Sequence, residues 1–159
     1  MHRAIANISI ATASLLGSAG CATVLTRDQS SEGPLVGAWI AEVSLHDCAS
    51  GQATQAPPFR ALVVFHSGGT LSEVSGPSVR RTPSFGTWSR SGANEYTATS
   101  MLLTYDANGA ASGAQEIRRT IRLSPDSTRF VAETRTVATD PSGSITFQGC
   151  ARGNARRAG

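Results

Sequence analysis

The chain of 159 residues contains no lysine; all fourteen of its basic side chains are arginine. Aromatic residues make up only 6% of it. No stretch carries the apolar spacing of an amphipathic helix. There is no Cys-x-x-Cys, no His-x-x-x-His and no Gly-x-Ser-x-Gly. These absences exclude the usual zinc spacings, which need three or four convergent ligands. They also leave the plentiful serines without a nucleophile elbow. A nucleic-acid binder shows a basic stripe interleaved with aromatics. Here the net charge is only +3, the arginines are dispersed, and the few aromatics do not alternate with them. Nucleic acid is therefore not an expected partner.

What remains is rich in Gly, Ser, Thr and Ala, a composition suited to short strands joined by tight turns. The stretch 59–75, FRALVVFHSGGTLSEVS, shows this most clearly. Val63, Val64 and Phe65 suit a half-buried pleated surface. Gly68 and Gly69 suit the positive φ of a hairpin turn. Thr70 to Val74 then resume alternation. Residues 35–45 form an earlier strand in which Trp39, Ala41, Val43 and Leu45 share one face. Further strands are expected over 85–89, 95–105, 114–123, 129–139 and 144–152. Turns such as Asp106-Ala107-Asn108-Gly109 and Asp140-Pro141-Ser142-Gly143 separate them. Eight strands with short connections pair as an antiparallel meander, and closure removes the exposed edges. The expected fold is an all-β, eight-stranded up-and-down barrel, with a two-sheet β-sandwich as the alternative.

The N-terminus reads as an export signal over residues 1–20. His2 and Arg3 precede a moderately apolar run from Ala4 to Leu16, too short to span a bilayer. Ser18-Ala19-Gly20-Cys21 resembles a bacterial lipoprotein processing box, which implies lipidation at Cys21 and a membrane anchor. Ser18 stands where that box usually has leucine, and cleavage by an ordinary signal peptidase near Ala19 to Ala22 is the other reading. Both place the domain outside the cytoplasm. Ala22 after the cysteine resembles the pattern sorted to the outer membrane, so the expected location is the periplasmic face of that membrane or the exterior. Residues 21–34 read as a polar tether, 35–153 as the barrel and 154–159 as a tail.

Gly37-x-Trp39 on the first strand, with an arginine at the end of the last, resembles the lipocalin and wider calycin pattern. In those families the tryptophan packs across the closed end of the barrel and the arginine covers it. Arg152 is the candidate for that arginine. The helix that follows the last strand in true lipocalins has no counterpart here. FHSGGTLSE, then GTW, then an aspartate turn, is similar to uncharacterised secreted bacterial barrels, a resemblance that carries no known activity.

Several side chains are candidates for chemistry. Arg119 falls in phase with Ile117 and Ile121, so it points into the barrel if they do. A buried arginine requires a carboxylate or an anionic ligand. Two readings follow, a ligand anchor or an internal ion pair with Glu73 or Glu133. The apolar wall or floor of a ligand site would come from Trp39, Val43, Phe65, Trp88, Met101, Ile121 and Phe147, with Glu73 and Arg119 as polar groups. An isomerase or cyclase would instead need Glu73, His66 and Arg119 to converge. Glu73 and Glu95 are the candidate acid–base pair. A packed envelope protein would have no ligand at all. The leading expectation is a binder of a small apolar or amphipathic ligand, with no cofactor and no metal. Cys48 and Cys150 are either a disulfide, as an even pair in an oxidising compartment suggests, or two buried thiols. Antiparallel pairing of a first strand ending at 45 with a last strand ending at 152 argues against their contact.

Overall fold

The protein was analysed as a computed structural model that describes residues 33–76 and 79–159. The expected export signal and Cys21 lie outside the described residues, as does most of the tether. Eight strands follow one another: β1 (Gly37–His46), β2 (Phe59–Phe65), β3 (Thr70–Ser75), β4 (Ser84–Arg90), β5 (Glu95–Tyr105), β6 (Ala111–Leu123), β7 (Arg129–Thr139) and β8 (Ile145–Arg157). Each pairs antiparallel with the next, and β8 returns to β1, closing an up-and-down barrel. The meander barrel is therefore the fold, and the sandwich is not.

Alternation explains the closure. On β5, Tyr96, Ala98, Ser100 and Leu102 face inward and are buried, while Glu95, Thr97, Thr99, Met101 and Leu103 face solvent. Gly68 and Gly69 take φ of 89° and 84° in the β2–β3 turn. That conformation is open to glycine and strained for most other residues.

The interior is packed unequally. Five of the nine aromatics gather at the end where β1 begins and β8 finishes. Trp39 lies 5.0 Å from Phe130, Phe65 lies 5.9 Å from Trp88, and Trp88 lies 5.8 Å from Tyr96, centroid to centroid. The pairs are tilted or edge-to-face, the arrangement favoured by ring quadrupoles. Leu35, Leu71, Ile121 and Leu123 fill the rest of this closed end.

Trp39 is fully buried and donates its indole hydrogen to Leu35 O at 2.8 Å. The arginine over its ring is Arg157, 4.4 Å from the centroid, and not Arg152. Arg152 points outward and pairs with Glu133 at 2.8 Å. The reason is the length of β8, which runs to Arg157 and includes residues that the sequence reading assigned to a tail. Register then sets Trp39 opposite Arg157. The guanidinium also donates to Val36 O at 3.1 Å, to Ser127 O at 2.9 Å and to Pro34 O. Gly37 makes room for it, since a Cβ there would lie 2.9 Å from Arg157 Nη1.

The same register brings the cysteines together. His46 stands opposite Cys150 in the middle of β8. The chain then doubles back, with His46 bridged to Ala53 and Asp47 N bonded to Gln52 O. Cys48 is carried onto the outer face of the barrel, where it forms a disulfide with Cys150, Cα to Cα 5.2 Å. The argument against contact rested on a β8 that was five residues too short.

Among the described residues, aspartates tie four turns, and in three of them the carboxylate accepts from a hydroxyl as well as from backbone amides. Asp47 accepts from the backbone and hydroxyl of Ser50. Asp126 accepts from the hydroxyls of Ser124 and Thr128, and Asp140 from the hydroxyl of Ser142 and the amide of Ser144. These bonds favour the ionised form and hold all three carboxyls below the ordinary 3.8, that of Asp126 at about 2. Their contribution to stability is fully present above the unfolded value, and it is lost as pH falls through the folded values. Thermal unfolding followed from pH 5 downward should show a falling midpoint below about pH 4. Asp126→Asn should flatten the part of that fall that lies closest to pH 2; an unchanged profile would contradict the assignment.

Candidate ligand-binding cavity

Above the aromatic floor the packing loosens. A cavity of about 250 Å³ occupies the middle of the barrel and the end opposite Trp39. This is slightly below the range common for small-molecule sites, so it suits a compact ligand. Its wall is mostly apolar: Val43 and Leu45 from β1, Phe59, Val63 and Phe65 from β2, Ile117 from β6 and Ala132 from β7. The small inward residues of β8, among them Gly149, Ala151 and Gly153, leave the space open. Glu73, Arg81, Gln115 and Arg119 supply most of its polar groups.

Arg119 faces inward, as its phase with Ile117 and Ile121 indicates, and its Nη2 contacts Glu73 Oε2. The two side chains are 12% and 5% exposed, so this is a buried ion pair. Glu133, the other candidate partner, lies outside the barrel. A buried pair of this kind requires further hydrogen bonds to offset desolvation. Here they are incomplete. Arg119 Nη1 reaches Ser100 Oγ only at 3.5 Å. Glu73 Oε2 touches the guanidinium without accepting an aligned hydrogen bond. Ser84, directly opposite Glu73 on the neighbouring strand and 2% exposed, has no partner for its hydroxyl among the described residues. Among the described residues the pair therefore has few supporting hydrogen bonds.

Arg81, in the β3–β4 connection, reaches the cavity near its mouth. It is held by one nitrogen, Nη2, which donates to Ser75 O, Ser75 Oγ and Gly76 O. Two arginines and one glutamate leave one positive charge in excess inside the cavity. Low-dielectric walls strengthen the attraction that this excess exerts on an anion.

Of the residues expected to line a site, Val43, Phe65, Glu73 and Arg119 do so, and Phe147 joins them at the rim. Trp39, Trp88 and Ile121 lie below, in the packed floor. Met101 faces solvent, because its neighbours Ser100 and Leu102 take the inward positions of β5. His66 sits in the β2–β3 turn at the closed end, exposed and 3.1 Å from Ser72 Oγ, so it does not converge with Glu73 and Arg119. Glu95 is on the outer surface with Arg122, 3.0 Å away, so it cannot pair with Glu73 as acid and base. His46-Asp47-Cys48 is committed to the disulfide and its turn. Arg81 and Gln115 were not singled out in the sequence: a loop arginine carries no periodicity to betray its direction, whereas Gln115 shares the phase of Ile117 and Arg119 and could have been found by it.

Compared with known proteins, the chain matches no protein-family model, no curated protein and no solved structure. The functional reading therefore stands on the cavity itself.

Proposed function

We propose that the protein is an exported, lipocalin-like barrel that binds a small amphipathic ligand, its apolar part among Val43, Phe59 and Ile117 and its acidic head near Arg81 and Arg119. The observation that carries this reading is the cavity with an incompletely bonded ion pair on its wall and one unbalanced positive charge. An interior filled only for stability would be better served by apolar side chains than by a buried pair. Binding rather than catalysis is favoured because the titratable groups needed for acid–base work are dispersed: His66 and Glu95 are on the outside.

Isothermal titration with decanoate and with decanol tests this. Decanoate is expected to bind saturably at one site, and decanol more weakly. Arg81→Gln should weaken decanoate about tenfold or more, as for loss of a hydrogen bond to a charged group, and leave decanol nearly unchanged. Equal, unsaturable uptake of both would contradict the proposal.

A further inference from the structure

The closed end of the barrel is the more positive. At the mouth end Asp47, Asp106 and Asp140 stand against Arg60, Arg80 and Arg81. At the closed end are Arg90, Arg122, Arg129, Arg156 and Arg157, against Glu95 and Asp126. Only Arg122 of these arginines has a carboxylate partner among the described residues. Arg90 donates to the carbonyls of Gly92 and Ala93, and Arg157 to those of Pro34, Val36 and Ser127, so their partners are neutral carbonyls and not carboxylates. Arg129 and Arg156 stand directly opposite each other across β7 and β8. Like charges so placed are destabilising. Their neighbours on the outer face are mixed: Ile40 lies opposite Arg156 and Val131, 42% exposed, follows Arg129 on the same face, while Glu42 and Asn154 line the same shallow depression.

From these observations we infer that the closed end is a docking surface for an anionic, phosphate-bearing bilayer, which holds the mouth of the barrel away from the membrane. Charge complementarity supplies the attraction, on the order of a fivefold gain in binding for each arginine near such a surface. Short apolar side chains between arginines suit shallow seating at headgroup level. The position of the preceding chain agrees. Gly33, whose carbonyl accepts from Val36 N at 3.0 Å, lies at this same end. The 32 residues before it include Cys21, the expected lipidation site. A bilayer accommodates both a lipidated segment and a cluster of arginines. Nucleic acid fits less well, since the aromatics at this end are buried in the barrel and none is offered for stacking on bases. The inference does not depend on whether the cavity holds a ligand.

Residues 33–159 contain every strand pairing of the closed barrel, so this fragment is the test protein, and the segment before it contributes nothing to its binding. Its cosedimentation with vesicles of 30% phosphatidylglycerol in phosphatidylcholine is compared with that for phosphatidylcholine alone. Binding to the anionic vesicles only, abolished by high salt, is expected. Arg129→Gln with Arg156→Gln should weaken it on the order of twentyfold. Arg80→Gln with Arg135→Gln removes the same charge away from the closed end and should change it less than twofold. Equal loss in both double variants would overturn the proposal, because attraction would then follow net charge and not this surface. So would absence of binding at low salt, or tighter binding to double-stranded DNA at equal phosphate concentration.

Discussion

Replacing both Cys48 and Cys150 by alanine is expected to cost about 4.7 kcal/mol of stability, the value of the chain-entropy treatment for a loop of about a hundred residues. The bond joins residues 102 apart and ties the first strand to the last, so its loss enlarges the unfolded ensemble more than most single bridges do. With a urea slope near 2 kcal/mol/M the midpoint should fall by roughly 2 M. Reduction of the native protein should shift the midpoint equally. The native fold should survive at low temperature, because pairing of β1 with β8 extends over eight residue pairs without the bridge. An unchanged midpoint would show that the thiols are not joined.

The second large effect concerns the cavity. Glu73→Ala strands the Arg119 guanidinium in the barrel and is expected to cost about 3–5 kcal/mol. Glu73→Met combined with Arg119→Met should recover most of that loss, since a buried pair replaced by apolar groups of similar volume is often neutral or better. Chemical denaturation of the two variants beside the parent decides it. If Glu73→Ala proved as stable as the parent, the pair would be solvated and not buried. The double variant has a functional consequence as well: a stable barrel that no longer retains an acidic ligand would separate the role of the pair in binding from its role in folding.

Much of this architecture is legible in the residues. The meander follows from alternation on strands such as β5, from glycine and aspartate turns, and from connections that are mostly short turns. The inward direction of Arg119 follows from its phase with two isoleucines. The end of the barrel was not legible, and the cause is specific. The inward residues of β8 are Gly149, Ala151, Gly153 and Ala155, small enough to lie beside Ala132 and Val43. A strand whose inward face is Gly and Ala shows no apolar stripe, so the strand was ended at 152 and residues from 154 onward read as a tail. Alternation of small with polar residues from Gly149 to Arg157 was the available signal. Two further conclusions depended on that end. Arg152 was placed where Arg157 belongs, and contact between the cysteines looked unfavourable although the register provides it. Side chains in turns were the other blind spot: nothing in the sequence says that Arg81 leans over the mouth or that His66 stays outside.

The central claim, that the barrel holds a small ligand, is tested most directly by native mass spectrometry of the protein purified from its own host with Cys21 replaced. The expected spectrum contains a species heavier than the bare chain by the mass of one small acidic molecule. That species should be lost from the Glu73→Met, Arg119→Met variant. A single bare mass, unchanged after incubation with lipid extracts, would contradict the claim and leave a barrel whose interior serves the fold alone.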